Sequence, residues 1–496
     1  MKPLSRIVII GGGTSGWLAG AMLSRHLKRE LCEIELIESE EIGTIGVGES
    51  TVPPFVGLIQ RLGIDEKEFI RATDATYKLG IQFVGWHQRA KSYFHPFGVI
   101  GQPIGGHDFY QCWLRARAQG DTSSLMDFSP CSVMADSGRF FPPAKVPNTP
   151  IGGANYALHV DATLVARYLR DYSQSRGLVR TEGKVTSVKQ RESGFIESVV
   201  LEDGREIRGD FFIDCTGFKA LLIGKALAVE HIDWSNYLPC DRAVAMRSEG
   251  RGPLLPYTRA TAQSSGWSWR IPLQQRVGNG YVYSSQFCSD STAKATLIRG
   301  LDGPVVDEPR IIPFVTGHRR ELWKHNCLSL GLAAGFLEPL EATSIHLIAR
   351  GIDFFLRYFP DRDCDLALVR EYNRRMTGDF EEVRDFVLLH YAATARDDSP
   401  FWQWCSQIEL PDSLQERIEL FKRHGALRDG TDPLFRNTSW QSIFEGMGIQ
   451  PSHYCPRVEN VDYARIAGAL KTAKAAIQGM VSHLPTHEEF LSAQNR

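Results

Sequence analysis

Three glycines impose the first chemical constraint on this chain. Gly11, Gly13 and Gly16 stand as G-x-G-x-x-G, directly after the apolar run Ile7-Val8-Ile9-Ile10 and ahead of a helical stretch from about Trp17 to Leu27. A second apolar run, Ile34 to Ile37, ends at Glu38, 22 residues beyond Gly16. Between a strand and a helix this spacing serves a dinucleotide. Gly11 permits the tight turn, Gly13 lets a pyrophosphate approach the backbone, and Gly16 lets helix and strand pack closely. The first amides of the helix, at Thr14 and Ser15, are open to phosphate oxygens, and Glu38 is placed to accept a ribose hydroxyl. The fingerprint alone fits FAD and NAD equally.

Further stretches carry chemistry by type and position. The loop Gly43 to Pro54 holds Gly48, Glu49 and Ser50 just beyond Glu38 and is expected to form a second wall of the nucleotide site. Ser50 or Thr51 is expected to cap a helix that Pro53 begins, running to Leu62 with Gly63 as its stop. Tyr77, Leu79, Ile81 and Phe83 alternate as one apolar strand face, which leaves Lys78 and Gln82 on the other. A lysine so placed is ordinarily solvated. In Trp267-Ser268-Trp269-Arg270-Ile271-Pro272 the alternate indoles share one strand face, and Pro272 marks the strand's end. Taken alone, that wall is core packing. A helix from about Ala342 to Leu356 offers open amides at its start, which suits an anion. The strand Phe211-Phe212-Ile213 running into Asp214-Cys215-Thr216-Gly217 resembles the return strand of FAD-binding monooxygenases, which implies FAD.

The elements that must position these residues read as an interleaved α/β protein. At 496 residues the chain is long enough for two or more lobes. Apolar stripes at Phe380, Val383, Phe386, Val387 and Tyr391, and at Ile466, Leu470, Ala473, Ile477, Met480 and Leu484, mark helices packed on a core. Balanced charge, 56 basic against 58 acidic residues, leaves no field for nucleic acid or anionic lipid. The ten cysteines are scattered without a Cys-x-x-Cys or Cys/His cluster, so neither a metal site nor a redox dithiol is expected. No apolar run nears membrane-spanning length, and a soluble, cytoplasmic protein, monomer or homodimer, is expected.

Together Gly11-x-Gly13-x-x-Gly16-Trp17, Gly46-Val47-Gly48-Glu49-Ser50-Thr51, Trp267-x-Trp269-x-Ile271-Pro272 and Phe336-Leu337-Glu338-Pro339-Leu340-Glu341 resemble the flavin-dependent tryptophan and indole halogenases. The resemblance runs over nearly the whole chain, on to Pro400-Phe401-Trp402. Flavin hydroxylases usually carry Gly-Asp where this chain has Gly331-Leu332-Ala333-Ala334-Gly335, which points the same way. The implied fold is a Rossmann-type, flavin-monooxygenase-like FAD module over 1–90 and about 160–350 with an inserted sheet. Residues 91–159 are expected as substrate-side loops and 351–496 as a mainly helical substrate-side lobe.

The resemblance also implies a reaction and its residues. Reduced FAD from a separate flavin reductase, with oxygen, turns a halide into hypohalous acid, which passes through a tunnel to a lysine beside the aromatic substrate. Lys78 matches that lysine and Glu341 the family glutamate. Thr343 and Ser344 match the halide-binding pair, and Asp214 and Leu332 are carried over to the FAD site. His95 and Phe97 match substrate-side positions, and Trp267, Trp269, Ile271 and Pro272 become a barrier along the tunnel. A lysine can hydrogen-bond an electrophilic halogen species or form a haloamine with it, and a carboxylate can polarise that species or take the ring proton. Tryptophan-specific members read Glu-Ser-Thr-Gly where this chain has Glu341-Ala342-Thr343-Ser344, so Ser344 in place of Gly is expected to restrict the backbone or narrow the pocket. Either bromide or chloride fits, with bromide expected to be the better used.

Between Phe421 and Phe444 the chain lacks the Tyr-Tyr, Glu and Phe-Trp lid of the tryptophan-specific members, and Trp440 is the one large candidate there. An indole-like aromatic, alone or within a larger molecule, is therefore expected before free tryptophan. No second G-x-G-x-x-G is present for NAD(P)H, in keeping with reduction elsewhere. The alternatives are a flavin-dependent aromatic monooxygenase and a flavin-binding protein without turnover. Lys78 and Glu341 on separate motifs speak against the second.

Overall fold

The structure is a computed structural model that describes residues 2–41, 48–428 and 433–494. Gly46 and Val47, with the rest of 42–47, lie outside the described residues. Two compact units are interleaved in sequence. One gathers Met1–Ala75, Val160–Asp241 and Ile312–Arg384, and the other Thr76–His159, Arg242–Ile311 and Asp385–Arg496.

The first unit is built on a sheet in the order Trp323–Lys324, Cys327–Ser329, Phe211–Asp214, Arg6–Ile10, Glu33–Glu38, Val179–Glu182. All neighbours are parallel except the edge pair Trp323–Lys324 with Cys327–Ser329. A parallel strand covered on both faces needs a continuous apolar run, and Ile7 to Ile10 are accordingly all buried. The helices Thr14–His26, Ala162–Gln174 and Ser344–Arg357 also belong to this unit. Asp161 caps the second of these, accepting from the amides of Thr163 and Leu164. The expected helix after the glycine-rich loop is Pro54–Arg61, but Pro53 precedes it and no side chain caps it. Ser50 and Thr51 are therefore not its caps, because Ser50 still belongs to the strand Gly48–Ser50. Gly63 does end it, at φ +72°.

The second unit centres on strands in the order Arg242–Ser248, Val277–Tyr283, Gly266–Pro272, Thr258–Gln263, Gly80–Val84, Ser92–Pro96. Its pairs are antiparallel, save Thr258–Gln263 with Gly80–Val84. That pairing carries residues 76–90 and 242–311 into this unit, a different division from the one expected at residue 90 and at about residue 160. Residues 91–159 are also less loop-like than expected. They include the helices Phe109–Ala118 and Pro130–Asp136, capped by Asp108 and Ser129, signals that glycine and proline around them obscured.

The double-indole strand Gly266–Pro272 dictates its neighbour's composition. Trp269 lies opposite Gly280 and Ile271 opposite Gly278. The indole of Trp269 covers Gly280 so closely that a Cβ there would lie 2.0 Å from the ring. Val277-Gly278-Asn279-Gly280 is thus the sequence of a strand that must leave room for a large ring opposite it. Trp267 and Trp269 are both buried, with ring centroids 6.0 Å apart. Trp267 also stands 6.2 Å from Trp86, which meets Trp402 at 5.7 Å. Overpacking this face is costly: Gly280→Val is expected to lower stability by about 2 kcal/mol. Gly378→Ala, on an open helix face, should be neutral or raise stability by up to about 1 kcal/mol. Urea unfolding followed by tryptophan fluorescence distinguishes the two.

Candidate active site

In the first unit the three glycines do different physical work. Gly11 has φ +112°, and a Cβ there would lie 2.2 Å from the Cys215 carbonyl oxygen. A Cβ on Gly16 would lie 1.8 Å from the Gly11 carbonyl oxygen, so strand and helix meet at backbone contact. At Gly13 a Cβ would meet nothing within 4 Å. That open side leaves room for a pyrophosphate, and Gly13 caps Thr14–His26 without a side-chain bond, leaving the helix amides open to a ligand. Gly331, at φ +60°, brings the turn carrying Leu332 against Ser15, whose Cβ would lie 2.9 Å from a Cβ at 331. Glu38 ends its strand with one carboxylate oxygen accepting from Arg180 Nε at 2.6 Å and the other from Trp17 Nε1 at 3.1 Å. Arg180 also meets Glu40 and Glu182, so Glu38 is held in place by a partner that no motif marks.

Asp214 differs from the expected direct cofactor ligand. One of its oxygens accepts from the amide and hydroxyl of Thr216, and the other from the amides of Leu222 and Ile223 at 2.8 and 2.9 Å. The carboxylate is fully buried and serves the turn after its strand, so it bears on a dinucleotide through the backbone it holds. Glu49 is half-buried, and burial together with the nearby Asp161 carboxylate raises it to about 7.

The same unit holds a compact acidic turn followed by a helix start. Glu338 and Glu341 are buried around the short turn Pro339–Glu341. Ala342 then takes φ +57°, and Thr343 leads into Ser344–Arg357 with no side-chain cap. The Thr343 hydroxyl is buried and makes no hydrogen bond among the described residues. An uncapped helix start beside a buried, unused hydroxyl fits an anion such as halide. Ser344 is already helical, so the expected backbone restriction from losing a glycine there does not arise; the left-handed residue is Ala342.

The second unit presents the lysine. Lys78 ends the short strand Thr76–Lys78, which pairs antiparallel with Ala157, Leu158 and His159. It is fully buried, against the expectation of a solvated far face, because its strand is covered on both sides. Lys78 Nζ lies 5.0 Å from the Phe97 ring centroid. His95 is buried, 6.1 Å from Phe97 and 5.5 Å from Phe386. Phe386 stacks on Phe435 at 3.7 Å and meets Trp440 edge-on at 4.8 Å. The sequence had singled out Trp440, whereas Phe386 was read as core stripe and Phe435 was not marked. Among the described residues no group of three or more His, Cys, Asp or Glu could hold a metal, and no helix is long and apolar enough to cross a membrane.

A family model described as tryptophan halogenase matches residues 6–463. The chain belongs to that family. It is 33% identical to the tryptophan 6-halogenase SttH of Streptomyces toxytricini over 99% of this chain and 98% of that one. Among solved structures it is similar to BrvH, a flavin-dependent halogenase from Brevundimonas sp. BAL3, at 40% identity and TM-score 0.95, with 99% of each chain covered. Xcc4156, a flavin-dependent halogenase from Xanthomonas campestris, matches at 43% identity and TM-score 0.95, again over 99% of each. This halogenase is thus a flavoenzyme with a Rossmann-type FAD-binding fold, and the open Gly13 turn is the part of it that fits the FAD pyrophosphate.

Beyond the motifs, this halogenase buries His159 and His487, isolated histidines whose sequence surroundings carry no signature. His487, from the helix His487–Gln494, is wholly buried and accepts from the Tyr77 amide through Nε2 at 3.1 Å. Its Nδ1 therefore carries the proton and donates to the Leu254 carbonyl at 3.0 Å. Burial lowers His487 from 6.5 to about 4. Above pH 6.5 both folded and unfolded chains hold it neutral; between 6.5 and about 4 the unfolded chain binds a proton that the folded one refuses. Stability therefore declines as pH falls through that window. His487→Gln keeps an acceptor for the Tyr77 amide without a titrating group, and should make thermal stability less steep in pH between 6 and 4.5, roughly the span where the wild-type imidazole titrates.

Proposed function

We propose that this halogenase installs bromide or chloride on an electron-rich aromatic such as an indole derivative, drawing reduced FAD from a separate flavin reductase. When bound, the reduced flavin with oxygen supplies the oxidising power that converts halide to hypohalous acid. Gly11, Gly13, Thr14, Ser15, Gly16 and Glu38 bind and orient the dinucleotide, joined by Gly48, Glu49 and Ser50 of a short strand and by Leu332 of a turn. Thr343 and Ser344 hold the halide at the helix start. Trp267, Trp269, Ile271 and Pro272 wall the passage, and His95 and Phe97 lie against the substrate ring. Lys78 takes up the electrophilic halogen, and Glu341 polarises it or receives the proton that leaves the ring.

The observation that carries this reading is the burial of Lys78. The side chain has no exposed surface and its amine lies over the face of the Phe97 ring, a desolvated setting of the kind in which reactive amines are found. The lack of a Tyr-Tyr and Phe-Trp lid favours an indole-like ring over free tryptophan. Phe386, Phe435 and Trp440 supply aromatic surface but no carboxylate or amide grip for an amino-acid headgroup. Bromide is favoured over chloride, since a larger anion loses less hydration on entering a buried site.

The direct test supplies a flavin reductase, NADH, FAD, oxygen and bromide, with indole as probe and mass spectrometry as readout. Brominated indole is the expected product; hydroxylated product alone would make this a monooxygenase. Lys78→Ala should lower halogenation by at least about 100-fold while FAD still binds. Thr343→Val should raise the halide concentration needed for half-maximal rate, and equal mixtures of bromide and chloride should give mainly bromoindole.

A further inference from the structure

The strand Thr76–Lys78 is three residues long, and a strand that short does not fix a side chain by its own ladder. Its hydrogen bonds show what does. The Thr76 hydroxyl donates to the carbonyl of Pro272 at 2.7 Å, at the end of the double-indole strand. Its single proton is thereby spent, so its 3.0 Å contact with His159 Nδ1 has the ring donating. His159 Nε2 is then an acceptor and takes the proton of the Thr258 hydroxyl at 2.9 Å. Next along the strand, the Tyr77 amide donates to His487 Nε2, and the Tyr77 hydroxyl donates to Gln494 at 3.0 Å. The Tyr77 ring stacks on Phe140 at 4.1 Å and packs edge-on against Phe490. Both residues that precede Lys78 are thus held by an imidazole of the same tautomer.

We propose that His159 and His487 are positioning residues for Lys78, two imidazoles that clamp its strand to Thr258, on the strand beside Trp-x-Trp-x-Ile-Pro, and to the last helix. This rests on the role assigned to Lys78 above. Each imidazole works as one donor and one acceptor, an arrangement that a second ring proton would break. The groups around them maintain that state: burial, Lys78, His487 and Arg270 all disfavour a charge on His159, and burial disfavours one on His487. A catalytic amine displaced by a fraction of an ångström to an ångström loses transfer rate without any change in how the oxidant is made. The last helix, remote in sequence from every motif, thereby becomes part of the halogenating apparatus.

The test separates making the oxidant from using it. The full-length holoenzyme is run with a flavin reductase, NADH, oxygen and bromide in two arms, one with indole and one with monochlorodimedone, a diketone that scavenges free hypohalous acid. For His159→Phe and His487→Phe the scavenger arm should stay within about twofold of wild type, while bromoindole turnover at saturating indole falls at least about tenfold with KM little changed. His159→Gln and His487→Gln, which keep a donor and an acceptor, should recover to within about threefold. Thr258→Val, which removes the donor to His159 Nε2, should show the same split in milder form and serves if the Phe variants do not fold. A proportional loss in both arms, or unchanged bromoindole in every variant, would overturn the proposal. Lys78→Ala runs alongside: if it keeps forming bromoindole, the Lys78 assignment itself fails, whereas a dead Lys78→Ala with intact histidine variants removes the clamp alone.

Discussion

The organisation of the second unit follows from keeping one amine away from water. Removing a lysine from solvent is unfavourable by several kcal/mol in effective terms, roughly the stability of a small domain. The chain accommodates that cost with a dense aromatic surround and rigid hydrogen bonding. Phe97 sits under the amine, His95 and Phe386 back it, and Trp267 and Trp269 rise from the strand whose Pro272 carbonyl receives Thr76. A second positive charge nearby would add repulsion, and the histidines of this region are accordingly held neutral. Burial and the nearby Lys78 put His159 well below its ordinary range, and His487 falls by burial alone to about 4. The dry surroundings therefore set both the protonation of the histidines and the rigidity of the strand between them.

The first unit solves a different problem, the delivery of backbone amides. Its glycines are there for closeness at Gly11 and Gly16 and for access at Gly13. Asp214 shows how such a site is maintained without direct contact: four donors saturate its carboxylate, and the turn they define carries the chain past Cys215, whose carbonyl closes on Gly11. A buried carboxylate with four hydrogen bonds acts as a structural fastener, although its position at a strand's end makes it look like a ligand in the sequence.

Legibility followed the range of the interactions. The strand–glycine–helix unit, the return strand at Phe211 and the helix after Thr343 depend on neighbours within one turn, and their residues declare themselves locally. Pro272 ended its strand, and the indoles shared a face, because the period of a strand is local too. What could not be read is carried by residues far apart in sequence. Lys78 looked solvated because its own strand supplies only one side of its surroundings; the cover comes from Phe97 and from strand partners near residue 157. The compact units divide the chain differently from the expected bounds for the same reason, since the alternation along Gly80–Val84 marks a strand without marking Thr258–Gln263 as its parallel partner. His159 and His487 carry no motif because their partners lie far off in sequence, hydroxyls 83 and 99 residues away for His159 and an amide 410 residues away for His487.

The turn at Ala342 unites these two kinds of constraint. A non-glycine residue in the left-handed region is disfavoured by about 1 kcal/mol or more, and such a conformation persists only where its surroundings over-determine it. Here the chain must pass from the buried Glu341, closing a short turn, to Thr343 at a helix start, with a single residue between them. A right-handed conformation at 342 would continue the turn and carry the helix amides away from the carboxylate. The left-handed one reverses direction within that residue and leaves both Glu341 and the uncapped amides on consecutive bends of the same buried segment. This chain's departure from Glu-Ser-Thr-Gly thus falls at two positions: the strained one, where Ala342 is the smallest side chain that is not glycine, and Ser344, where the backbone is ordinary helix. The turn sets where the uncapped helix amides lie, and what Ser344 can alter is the polarity beside them.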